Sequence, residues 1–118
     1  LNLNKGNPMM PNCTAFAAQI RPEHIEQIKA DGFKTVINNR PDGEEPNQPT
    51  NADIEQAART AGLAYYHQPV VASQINADDA QTFADIFNAA EKPVLMFCRT
   101  GNRCQVLYSQ AEHLDLLD

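Results

Sequence analysis

This sequence predicts a small single-domain α/β fold, a parallel-type sheet flanked by helices. Three observations predict it. Short apolar strands alternate with amphipathic helical stretches, the order that makes parallel βα units. "VLMFC" (94–98) is continuously apolar, as a strand buried on both faces must be. The residues with unusual chemistry fall in the segments that follow the strands, where ligands bind on such sheets.

The elements follow in order. "RPEHIEQIKADG" carries Pro22 near a helix start, Ile25 and Ile28 on one face, and Gly32 to end it. "KTVIN" (34–38) is a short β-branched strand. Three prolines and one glycine in ten residues make 40–49 a loop. Thr50 and Asp53 pair as a cap for a helix whose apolar face is Ile54, Ala57, Ala58 and Ala61, closed by Gly62. "LAYYHQPV" (63–70) is a second strand with Pro69 at its exit. Asn76 caps a third helix faced by Phe83, Ile86, Phe87 and Ala90, with Pro93 past its end. After the 94–98 strand, Val106, Leu107, Ala111 and Leu114 mark a last helix from about Gly101. Loops 39–50, 69–75 and 98–103 should therefore meet on one rim of the sheet.

With 118 residues the chain fits one domain with one modest core. Apolar content of 42% and charged content of 20% are those of a globular chain. A net charge of −6 argues against a nucleic-acid binder, so any anion site must be built locally from arginines and backbone N–H groups. No apolar run reaches the ~18 residues of a membrane span, and no charged-then-apolar leader opens the chain. Residues 1–12 are read as an N-terminal extension and 13–118 as the domain, with room for further structure after residue 118. The three cysteines (Cys13, Cys98, Cys104) lack disulfide or zinc spacing, which favours a reducing compartment, the cytoplasm. His24 and His113 look like ordinary helix residues; no metal site or cofactor is implied.

The chemistry concentrates in "PVLMFCRTGNRC" (93–104). Gly101 permits a tight turn, and the loop N–H groups with the helix N-terminus form an anion cradle. Arg103 offers a planar fork to two oxygens of a phosphate or sulfate. Cys98 lies under that cradle, where a helix end and a guanidinium lower a thiol pKa from ~8.5 into a range of roughly 3.5–7.5. A thiolate below a bound anion is a nucleophile aimed at phosphorus or sulfur. The plain alternative is a cysteine that serves as a small hydrophobe.

The loop resembles two families. Cysteine-based phosphatases use C-x5-R; rhodanese sulfurtransferases use a shorter loop, and the C-x4-R here, within C-R-T-G-N-R, is closer to theirs in length. The wider chain decides otherwise. "TVINNRPDGEEPNQP", "AGLAYYHQPV" and "PVLMFCRTGNRC", with the opening "AAQIRPEHIEQIKADGFKT", resemble a bacterial family related to dual-specificity phosphatases and sometimes fused to metallo-beta-lactamase-like hydrolase domains. The second half of the rhodanese pattern is missing. The resemblance implies that Cys98 attacks phosphorus while Arg103 and the loop of Arg99, Thr100, Gly101 and Asn102 hold the oxygens. It also implies a phosphorylated small molecule or phosphoprotein as partner, and a functional link to a beta-lactamase-like hydrolase domain. The aspartic acid that related phosphatases place after the Pro-Val of the preceding strand is absent, since "HQPVVASQI" has Ala72 and Ser73 there. Asp42, Glu44 and Glu45 are candidate substitutes, as are Asp78 and Asp79.

Other residues carry two readings each. Arg40 either orients substrate or forms a loop ion pair with Glu44 or Glu45, and the ion pair is the simpler. His67 either helps set the thiolate or is a hydrogen-bonded structural histidine. Cys104 is either a redox partner that traps oxidised Cys98 or a packing residue. The function expected is a cysteine-dependent phosphatase. The rivals are a sulfurtransferase carrying a Cys98 persulfide and a domain that binds an anion without turnover.

Overall fold

A computed structural model describes residues 14–118; the expected extension 1–12 and Cys13 lie outside the described residues. Its framework is one four-stranded sheet of β1 (Thr14–Ala17), β2 (Thr35–Asn38), β3 (Ala64–His67) and β4 (Val94–Phe97). The strand order is β1-β4-β2-β3, and every pairing is parallel. Thr14, Thr35 and Val94 stand abreast, as do Ala17, Asn38 and Phe97, so the carboxyl ends form one level rim.

Four helices cover the faces: α1 (Ile25–Ala30), α2 (Asn51–Thr60), α3 (Ala77–Ala89) and α4 (Asn102–His113). The period-two alternation of the strands divides the core. Val36, Tyr65, Leu95 and Phe97 pack with Ile25, Ile28, Ile54 and Ala58 of α1 and α2. Ile37, Val94 and Met96 face Phe83 and Phe87 of α3 and Leu107 and Tyr108 of α4. The rings of Phe16, Phe83, Phe87 and Tyr108 interlock there, with Phe87 and Tyr108 edge to face at 5.6 Å.

The local signals hold. Thr50 Oγ1 accepts the Asp53 N–H at 3.1 Å, and Asn76 and Asp79 form a reciprocal capping box at 3.0 and 3.1 Å. Two features differ from the expectation. The first helix opens as a separate 3₁₀ turn, Pro22–His24, because the proline sets the turn but leaves few residues before Gly32. Strand β1 was not expected at all. It completes the sheet by covering the edge of β4 that β2 leaves open.

Candidate active site

The rim at the carboxyl end of the sheet holds an open cleft of about 660 Å³. Arg40, Glu44 and Glu45 line it from the loop after β2, Val71, Ala72 and Ser73 from the segment after β3, and Arg99, Thr100, Asn102 and Arg103 from the loop after β4. The three loops named from sequence therefore meet. Among the described residues, no helix is long and apolar enough to cross a membrane, and no group of three His, Cys, Asp or Glu side chains is arranged to hold a metal ion.

Cys98 is the first residue beyond β4. Its N–H donates to the Ala17 carbonyl at 3.3 Å, which ties the loop to the end of β1. The side chain is fully buried and does not itself line the cleft. The chain then reverses through Gly101, at φ +93°, which is also the N-cap of α4. A Cβ there would be forced into the left-handed region and would stand 3.4 Å from the Ala17 oxygen, so glycine is what the turn requires. The reversal brings the Gly101 N–H to 3.1 Å from Cys98 Sγ. A hydrogen bond from the Cys104 thiol is the main cause that lowers the Cys98 pKa from 9.0 to about 5, against burial and with help from the N–H groups of Cys104, Thr100 and Gly101. Cys104, buried and beside that sulfur, is pushed well up and stays a thiol. It sits in the packed face between the sheet and α4, so packing and sulfur contact are both present.

Arg103 is 9% exposed, and its fork is engaged within the protein. Nη1 donates to Glu44 Oε2 at 2.9 Å and to the Val70 carbonyl at 3.0 Å, and Nη2 donates to Glu44 Oε1 at 2.8 Å. Glu44 foremost, and Cys98 to a lesser degree, raise the pKa of this guanidinium above its usual value. Arg40, 2% exposed, donates from Nε to Glu44 at 2.7 Å, from Nη1 to Gln19 at 3.0 Å and from Nη2 to Glu45 at 2.7 Å. The loop ion pair of Arg40 thus forms with both glutamates. Glu44 lies between two guanidiniums, Arg103 foremost, which hold its pKa at about 2. Glu45 is also lowered, mainly by its hydrogen bond from Arg40.

Each candidate proton donor has a partner or a place in the fold. Glu44 and Glu45 are held as carboxylates by their arginines. Asp42 accepts the Asn51 N–H at 2.8 Å at the start of α2, and Asp79 belongs to the α3 cap. Neither of them nor Asp78 lines the cleft. His67 donates from Nε2 to the Arg40 carbonyl at 2.9 Å and is a structural histidine that fixes the β2 loop. Arg99 is exposed, with its Nε 3.6 Å from Glu45, while Thr100 Oγ1 accepts the Asn102 N–H at 3.3 Å. Two supports were missed, the Gln19 side chain on Arg40 and the Val70 carbonyl on Arg103. A carbonyl leaves no mark in a sequence.

Fold and loop together place the chain among phosphatase-like α/β domains. It belongs to the family of the phosphatase-like domain of beta-lactamase hydrolase-like proteins, whose pattern it matches over residues 9–114. It is 40% identical over 101 residues to a beta-lactamase hydrolase-like protein of Xylella fastidiosa, covering 86% of this chain and 23% of that one. The chain therefore spans about a quarter of the length of this relative. A Neisseria meningitidis protein described as a candidate phosphatase is similar in structure, with TM-score 0.76 and 44% identity, over 80% of this chain and 68% of the other. TpbA of P. aeruginosa, whose structure holds phosphotyrosine, shares the fold with TM-score 0.60 and 19% identity, over 92% of this chain and 73% of its own.

Proposed function

We propose that this domain hydrolyses phosphomonoesters through a cysteinyl-phosphate intermediate on Cys98. The observation that carries the reading is the placement of Cys98 at the base of the turn into α4, with its sulfur 3.1 Å from the Gly101 N–H. Hydrogen bonds to that sulfur, from Cys104 foremost, lower its pKa although burial pushes a thiol the other way. The Cys98 sulfur attacks phosphorus, the P–O bond to the leaving group breaks, and water then cleaves the S–P bond to release phosphate. Arg103 and the N–H groups of the 98–103 loop hold the equatorial oxygens as charge redistributes. Since Cys98 is buried beneath the loop, an entering phosphate has to draw those N–H groups from the sulfur to its own oxygens.

A thiolate nucleophile needs a reducing compartment, which fits the cytoplasm. In a longer protein like the Xylella relative, the domain would act beside a beta-lactamase-like hydrolase domain. The test is turnover of p-nitrophenyl phosphate by wild type beside Cys98→Ser. Turnover by wild type that is lost in the variant is the expected result. No turnover by wild type, with thiosulfate and cyanide consumed instead, would transfer the site to persulfide chemistry.

A further inference from the structure

We infer that Cys98 and Cys104 form a site of reversible oxidation, at which a hydroperoxide joins the two buried sulfurs in an intrachain disulfide. The inference rests on Cys98 as the nucleophile of the reading above and assigns that nucleophile its protection.

Both cysteines are wholly buried in the same packed cluster, and neither is in a disulfide. They lie six positions apart, across the turn that brings the Gly101 N–H to 3.1 Å from Cys98 Sγ. The Cys104 side chain and its backbone N–H are both directed at that same sulfur. An oxidised Cys98 therefore has few fates open to it. Burial keeps bulky thiols such as glutathione away, and the Cys104 thiol is already in reach.

The Cys98 thiolate attacks one oxygen of hydrogen peroxide, the O–O bond breaks, and hydroxide leaves, so that Cys98 carries a sulfenic acid. The Cys104 sulfur then attacks the Cys98 sulfur. The S–OH bond breaks, and the hydroxyl leaves with the Cys104 proton as water. Peroxide gains the two electrons that the two sulfurs lose. Burial foremost, and the neighbouring Cys98 after it, keep Cys104 protonated at rest. Oxygen on Cys98 removes the charge behind the second of these, so Cys104 ionises more readily once its attack is needed. The disulfide stops oxidation short of the sulfinic acid, and a dithiol reductant returns both electrons.

The experiment treats the chain with hydrogen peroxide, quenches it with acid, alkylates free thiols in urea and maps the tryptic peptides without reduction. Trypsin cuts after Arg99 and Arg103, so the two cysteines fall on separate peptides. The expected result is a crosslink between those peptides, with turnover of p-nitrophenyl phosphate lost as it forms and restored by dithiothreitol. In Cys104→Ser the same treatment should carry Cys98 to the sulfinic acid, and dithiothreitol should restore nothing. Cys98 oxidised with Cys104 still alkylated, a crosslink to Cys13 or between chains, or no reaction at either sulfur would overturn the inference and leave the phosphatase reading standing. Untreated wild type without turnover would remove the phosphatase reading, and the peptide map would still decide the oxidation site by itself.

Discussion

Glu44 joins two buried guanidiniums through one carboxylate, and its partners set what its loss would cost. Removing one member of a buried ion pair leaves uncompensated charge, worth roughly 3–5 kcal/mol. Glu44→Ala should lower the unfolding free energy by about 3 kcal/mol, because Glu45 still answers Arg40 while Arg103 loses both carboxylate bonds. Glu45→Ala should cost much less, its side chain being mostly solvated. Urea unfolding of the two variants checks the contrast, and equal losses would contradict it. From sequence, these two glutamates were interchangeable partners for Arg40. Glu44 and Arg103 are 59 positions apart, and only the topology shows that they meet. Cys98, Arg103 and Gly101 were legible for the opposite reason, since a strand, a turn and a helix start lie within a few residues of one another.

The turn from β4 into α4 is the element on which the site geometry depends, and Gly101 is where it can be probed. Alanine in the left-handed region costs about 1–2 kcal/mol, and its Cβ would stand in contact with the Ala17 carbonyl oxygen at 3.4 Å. Gly101→Ala should lower stability by that amount and also draw the Gly101 N–H from the sulfur. The midpoint of iodoacetamide alkylation of Cys98 against pH should then rise above about 5. A midpoint that stays put while stability falls would mean that the turn shapes the fold and not the thiolate. Elsewhere the elements show how far local rules reach. The caps at Thr50 and Asn76 and the stop at Gly62 are written in one or two residues each, and they form as read. Strand β1 is written nowhere locally. "TAFA" has no β-branched run, and it becomes a strand because β4 needs a partner on its free side.

At the scale of the whole molecule, the ionised site should make folding itself depend on pH. Cys98 titrates near 5 when folded and near 9.0 as an ordinary thiol, so between those values the unfolded chain binds the extra proton. Stability from this group is fully present above about 9, and is lost as the pH falls through about 5. Glu44 acts lower on the scale. Its contribution is complete above 4.5 and disappears as the pH falls through about 2. The two windows do not overlap, which lets them be separated. Urea unfolding of wild type and Cys98→Ser at pH 5, 6, 7 and 8 should give curves that diverge as pH rises, by at most ~1.4 kcal/mol per unit. The net charge of −6 acts on both proteins alike and cancels in the difference. Below pH 4.5 the two should fall together, because the ion pairs of Glu44 are common to both. Parallel curves across pH 5 to 8 would mean that Cys98 is protonated in the folded protein, and the nucleophile proposed above would then lack its charge.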